Sequence, residues 1–132
     1  MKDDVGKLIL RLTLGILILF HGVSKLKTGV AALMPAVQGL GLPTWFTYAV
    51  YLGEVVGPIL LIIGLFARTG AALIFINMIF AFVLVHRPDL FTIGKQGGWA
   101  LELQGLYLFG ALTVVLLGAG RFSLGGLRGR WN

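Results

Sequence analysis

Four stretches of this chain are long and apolar enough to cross a lipid bilayer, and no other feature restricts its fold as severely. They run over residues 5–25, 44–67, 69–86 and 98–118. A hydrocarbon core about 30 Å thick takes roughly 20 mostly apolar helical residues to cross. Inside it each backbone N–H and C=O must be paired within the protein, as a helix pairs them. Four such spans take up 84 of the 132 residues. The expected architecture is therefore all-α: one membrane domain, a bundle of four transmembrane helices. Residues 28–43 are too broken to span, with Pro35 and the run Gly39-Leu40-Gly41-Leu42-Pro43, yet Ala31, Met34 and Val37 recur at helical spacing. That pattern predicts a short interfacial helix between helices 1 and 2, ending in a turn.

Composition removes the competing classes. Only 12% of residues are charged and 58% are hydrophobic, against a charged share of about 25% in soluble domains. The formal charge of +6 does not indicate nucleic acid, because the basic residues sit between and beyond the apolar runs and form no stripe on a water-soluble face. They act as topology signals. Lys2, Lys7, Arg11, Arg68, Arg121, Arg128 and Arg130 fall on one side, and Lys25, Lys27, Arg87 and Lys95 on the other. Seven against four, or six against four without the intramembrane Arg11, places both termini in the cytoplasm, with the protein in the inner (plasma) membrane. Lys2 and Lys7 before an apolar run imitate a signal peptide, but no small-residue cleavage pattern follows. The chain has no cysteine, which excludes disulfides, thiolate catalysis and cysteine-ligated metal. Trp45, Tyr48, Tyr51 and Trp99 stand at span ends, as headgroup-level anchors do. Gly15 and Gly22, one heptad apart, and Gly53 with Gly57 are traces of close helix packing.

The informative residues are those that cost free energy where they stand. Arg11, His21, Glu54, Asn77 and Glu102 all fall inside apolar spans, where a central Asp, Lys or Arg costs about 2.5–3.5 kcal/mol on insertion scales. Each therefore needs a partner or a wet cavity. At 100° per residue, Arg11, His21 and Lys25 share an arc of about 80° on the first helix. With alternate spans ascending and descending, His21, Lys25, His86 and Glu102 converge near the outer face, while Glu54 lies near mid-membrane. Pro58 frees the Glu54 carbonyl, so carboxylate and carbonyl make a polar notch. Two interpretations stay open. In one, Arg11 pairs with Glu54, and Lys25 or His21 with Glu102, and the set only fixes helix register. In the other, His21, Glu54 and Glu102 line a pocket reached from outside, with Lys25 at its mouth and Arg11 closing it below; that pocket binds a ligand or carries protons. His21 and His86 as axial haem ligands form a further alternative, and Asn77 is read as an interhelical hydrogen-bond donor.

At these residues the sequence resembles the DoxX family of small four-helix membrane proteins. The resemblance lies in Arg11-Leu-Thr-Leu-Gly15 through His21-Gly22-Val23-Ser24-Lys25-Leu26 and in Gly39-Leu-Gly-Leu-Pro43. It continues through Gly53-Glu54, Gly64-Leu-Phe-Ala-Arg68, His86, Glu102 and Gly118-Ala-Gly-Arg121-Phe-Ser-Leu124. Gly125 stands where many members carry an Asp after Ser-Leu. Some members resemble membrane partners of redox enzymes, and the related DoxD proteins belong to a thiosulfate:quinone oxidoreductase. The resemblance thus implies a non-catalytic membrane subunit or partner of a redox or oxidative-stress system, not an enzyme on its own. The alternative is a quinone- or lipid-binding protein with an outer-facing polar pocket of Arg11, His21, Lys25, Glu54, His86 and Glu102. No haem-attachment or nucleotide-binding motif is present, so electron transfer would require a quinone or haem from elsewhere. Beyond the bilayer, a redox-enzyme partner and a homo-oligomer are the partners to expect; no internal repeat supports a rocking transporter.

Overall fold

The computed structural model describes residues 1–84, 88, 90–95 and 97–132. It is a helical bundle. Helix α1 (Lys2–Thr28) is the longest, with Asp3 and Asp4 in its first turn and Lys25 and Lys27 in its last, each favourable to the helix dipole. Gly29, at φ 81°, ends it. A 3₁₀ turn (Ala31–Leu33) and the short helix α2 (Met34–Gly39) follow, and Val37 of α2 is buried.

The second span changes winding as it crosses. It begins as a 3₁₀ helix (Thr44–Ala49), loosens into a π turn (Leu52–Val56) and ends as helix α3 (Gly57–Ile63). Pro58, at the start of α3, explains the loosening: it has no N–H to give the preceding turn, and the Gly57 N–H reaches back to the Leu52 carbonyl. Gly64, at φ 73°, stops α3 with its N–H on the Leu60 carbonyl, so this span ends before Ala67. Helix α4 (Ala67–Leu84) starts there, and α5 (Glu102–Leu117) completes the bundle.

Three helical stretches, Lys2–Thr28, Thr44–Ile63 and Ala67–Leu84, have the length and hydropathy of membrane spans, and α5 is a shorter apolar helix. Helix α4 packs against α3 and α5, and α1 against the same two. Their shared core contains Leu14, Ile18, Leu61, Ile74, Met78, Leu108, Ala111 and Val114.

Helix α5 begins at Glu102 rather than near Gly98 because the residues before it fold back. The Gly94 N–H bonds the Gly98 carbonyl at 2.6 Å, the Ala100 N–H bonds the Thr92 carbonyl at 2.9 Å, and Ile93 and Trp99 form an isolated bridge. Trp99 turns inward: its Nε1 donates to the Leu90 carbonyl, and its ring stacks on Phe82 at 6.1 Å. Trp45, by contrast, is exposed.

Glycines set the helix spacing. A Cβ on Gly22 would overlap the backbone carbonyl of Glu54, and one on Gly53 would overlap the Asn77 side chain. Gly57 and Gly70 face each other so closely that a Cβ on either would lie under 3.0 Å from the other's carbonyl oxygen. These approaches place Gly22, Gly53, Glu54 and Asn77 at one level of the bundle.

Candidate functional site

The polar groups of the spans sort into two sites at different depths. Arg11 is 1% exposed and meets no carboxylate among the described residues. Its Nε donates to the Ala119 carbonyl at 3.0 Å, Nη1 to the Leu61 carbonyl at 2.6 Å and Nη2 to the Phe122 carbonyl at 2.5 Å. Leu61 lies in the last turn of α3, where helix carbonyls lack intrahelical partners. The guanidinium therefore fastens the segment after α5 to the N-terminal half of α1 and the end of α3. The ion pair with Glu54 entertained from sequence does not form. Gly22 marks the level of Glu54, and Arg11 is eleven residues earlier, about 16 Å along the axis at 1.5 Å per residue.

Lys25 takes the place expected of Arg11. Its Nζ lies 2.5 Å from Oε2 of Glu54, with the two side chains 28% and 8% exposed. Lys25 is one turn beyond Gly22 on the same helix, so its stem returns to the level of Glu54. The Tyr51 hydroxyl donates to the Lys25 carbonyl and ties this end of α1 to the second span. The pair leaves no net charge in the wall it belongs to.

That wall lines a partly open cavity of about 520 Å³ between α1, α2, the second span, α4 and α5. Its lining is mostly apolar, with Ile18, Leu33, Val37, Phe46, Leu73 and Leu103 among the contributors. Set into it are His21, Lys25, Glu54, Asn77, Gln104 and Tyr107. The His21 ring meets Tyr107 edge-on at 6.0 Å. Thr47 also lines the cavity, and its buried hydroxyl has no partner among the described residues.

Of the residues singled out from sequence, the structure thus gathers His21, Lys25 and Glu54 around one space. It puts Arg11 in the N-terminal half of α1, about 16 Å away along the axis. Glu102 is exposed at the start of α5, beside Gly98, and its neighbours Leu103 and Gln104 face the cavity instead. No ion pair joins Glu102 to Lys25 or His21 among the described residues. His86 lies outside the described residues. Thr47, Gln104 and Tyr107 were not singled out: hydroxyl and amide residues in an apolar span cost far less than charges, so sequence gives them little contrast. Among the described residues, no group of three His, Asp or Glu side chains could hold a metal ion.

A small helical membrane protein with a mostly apolar cavity and a neutralised ion pair in its wall is the class that this fold and site define. The DoxX family profile matches residues 6–87, and the chain belongs to the DoxX family. It is similar to the "Putative oxidoreductase CatD" of Bacillus subtilis (strain 168), with 29% identity over 110 residues, 83% of this chain and 80% of that one. It is also similar to an "Uncharacterized protein" of Haemophilus influenzae (strain ATCC 51907 / DSM 11121 / KW20 / Rd), 31% identical over 118 residues, 87% of this chain and 84% of that one. No solved structure gives a significant match.

Proposed function

We propose that this protein binds a neutral, lipid-soluble ring compound of the quinone class inside the bilayer, as the membrane component of a redox system. The cavity is the observation that carries the proposal. Its volume of about 520 Å³ falls within the roughly 300–1,000 Å³ of small-molecule sites. Its lining follows the same pattern, apolar over most of the wall with a few hydrogen-bonding groups to fix orientation. The Lys25–Glu54 pair cancels its own charge, which favours a neutral ligand over an ion. A polar head of that kind has donors and acceptors to meet at Lys25, Glu54, Asn77 and Tyr107, and an apolar body has Val37, Phe46 and Leu103. The name of the Bacillus relative, "Putative oxidoreductase CatD", supports the redox setting. In that setting the chain serves as a membrane subunit, with both termini on the cytoplasmic side of the inner membrane, where most of its Lys and Arg residues fall.

Gentle solubilisation from native membranes, organic extraction and mass spectrometry test this directly. The expected result is a quinone-class molecule at about one per chain, lost from an Ala81→Phe variant whose added ring fills the cavity. An extract holding only phospholipid, together with no thermal shift on adding a quinone, would overturn it.

A further inference from the structure

Resting on the ligand-binding proposal above, we infer that the cavity has a second polar anchor at Thr47, and that its ligand is a neutral ring carrying oxygens at both ends. The cavity has two levels. At its floor Gly22 packs on the Glu54 carbonyl, Gly53 packs on Asn77, and the His21 and Tyr107 rings meet. Lys25 reaches down to that level to pair with Glu54. At its roof the Phe46 ring meets Phe80 at 5.3 Å, and Leu33 and Val37 line the space from the interfacial segment. Thr47 belongs to the roof.

The roof is otherwise apolar, which makes the state of Thr47 unusual. The residue is 3% exposed, and its Oγ1 has no hydrogen-bond partner among the described residues. Buried in this way, an unpaired hydroxyl loses water without gaining a partner, which costs free energy. Packing alone is served as well by valine, which has the same shape and no such cost. One rotamer step about χ1 carries the hydroxyl to the place the methyl holds and the methyl to that of the Cβ hydrogen, so the hydroxyl can be redirected without backbone movement.

Spacing gives the ligand's form. Thr47 precedes Glu54 by seven residues, which at 1.5–2 Å per residue puts the two levels about 10–14 Å apart. One six-membered ring with oxygens at opposite positions, hydrogen-bonded at about 2.8 Å at each end, spans roughly that distance. A single-headed phenol satisfies the floor and leaves Thr47 unpaired. A phospholipid headgroup places a phosphate against Leu33, Val37 and Phe46 or an extra charge beside a pair already neutral.

The test uses the full chain in lipid nanodiscs and two probes, 1,4-naphthoquinone with two oxygens and 1-naphthol with one. Binding is measured by equilibrium dialysis above that of empty discs. The wild type should bind the naphthoquinone about tenfold tighter than the naphthol, a single added hydrogen bond being of that order. Thr47→Val should remove that advantage and leave naphthol binding unchanged, whereas Thr47→Ser should keep it. The ligand-free Thr47→Val protein should melt no lower than wild type. If that variant does not fold, Thr47→Ala against Thr47→Ser makes the same comparison. Unchanged naphthoquinone affinity in a folded hydroxyl-less variant, or equal loss for both probes, overturns the second anchor and leaves the cavity's ligand-binding role standing. Binding of neither probe by the wild type overturns that role, and the anchor with it.

Discussion

Replacing Arg11 by methionine separates the pairing seen in the structure from the one that charge counting suggests. The variant keeps most of the side-chain volume and removes three charge-assisted hydrogen bonds, to Leu61, Ala119 and Phe122. Bonds to a charged group contribute about 1.5–3 kcal/mol each, so their loss alone amounts to roughly 5–9 kcal/mol. Relief from burying a guanidinium whose partners here are backbone carbonyls returns several kcal/mol of that sum. Carbonyls released near the end of the bundle also regain some water. The net expectation is a destabilisation of about 2–4 kcal/mol in equilibrium unfolding in mixed micelles. Amide exchange should accelerate at 118–132, the segment that Arg11 fastens, well before it does in the core of α4. A double-mutant cycle supplies the decisive sign. Arg11→Met and Glu54→Gln should add to within about 0.5 kcal/mol, as separated sites do. Lys25→Met and Glu54→Gln should couple by about 1–3 kcal/mol, because removing one partner of the pair leaves the other alone in the wall. Coupling of Arg11 to Glu54, or unchanged exchange at 118–132 in Arg11→Met, would refute the two-site assignment.

Two further outcomes follow from the same geometry. Gly22→Val should force α1 off the second span and cost about 1–3 kcal/mol or more, while the same change at Gly6, where a Cβ meets nothing within 4 Å, should leave unfolding nearly unchanged; equal effects at both positions would contradict the close approach at Glu54. Because the chain has no cysteine, single cysteines at Lys27 and Arg128 can be challenged with a membrane-impermeant thiol reagent on intact spheroplasts. Only the first should react, and the reverse pattern would invert the proposed orientation.

The bundle was legible because its signal is redundant: length, hydropathy and the need to pair every backbone group all select helices. The packing glycines were legible for a related reason, since Gly15 and Gly22 fall one heptad apart on the seam that also carries Arg11 and Ile18. The pairing of charges was not. Helix phase places Arg11, His21 and Lys25 on one face, but which of them meets Glu54 depends on the relative height of two helices. That height is set by the contact of Gly22 with the Glu54 carbonyl, a tertiary fact with no local signature. Pro58 announced an irregular backbone near Glu54, though not its form, a 3₁₀ entry followed by a π turn. Trp99 read as an interfacial anchor because its indole stands at a span end, whereas the fold-back at Gly94 and Gly98 carries it inward onto Phe82. Asn132 was unreadable as a cap: its Oδ1 accepts the Ala67 N–H across 65 residues of sequence, and capping patterns in sequence are local.

The central claim is that the space between Lys25–Glu54 and Thr47 holds a neutral, lipid-soluble ring. The most direct measurement is an experimental high-resolution structure of the protein extracted from its native membrane without added ligand. A flat ring lying between the two levels, with one polar edge at Lys25–Glu54 and the other within hydrogen-bond distance of Thr47, is the predicted result. A cavity closed by side-chain collapse, or filled by a lipid acyl chain with no polar contact at either level, would contradict it.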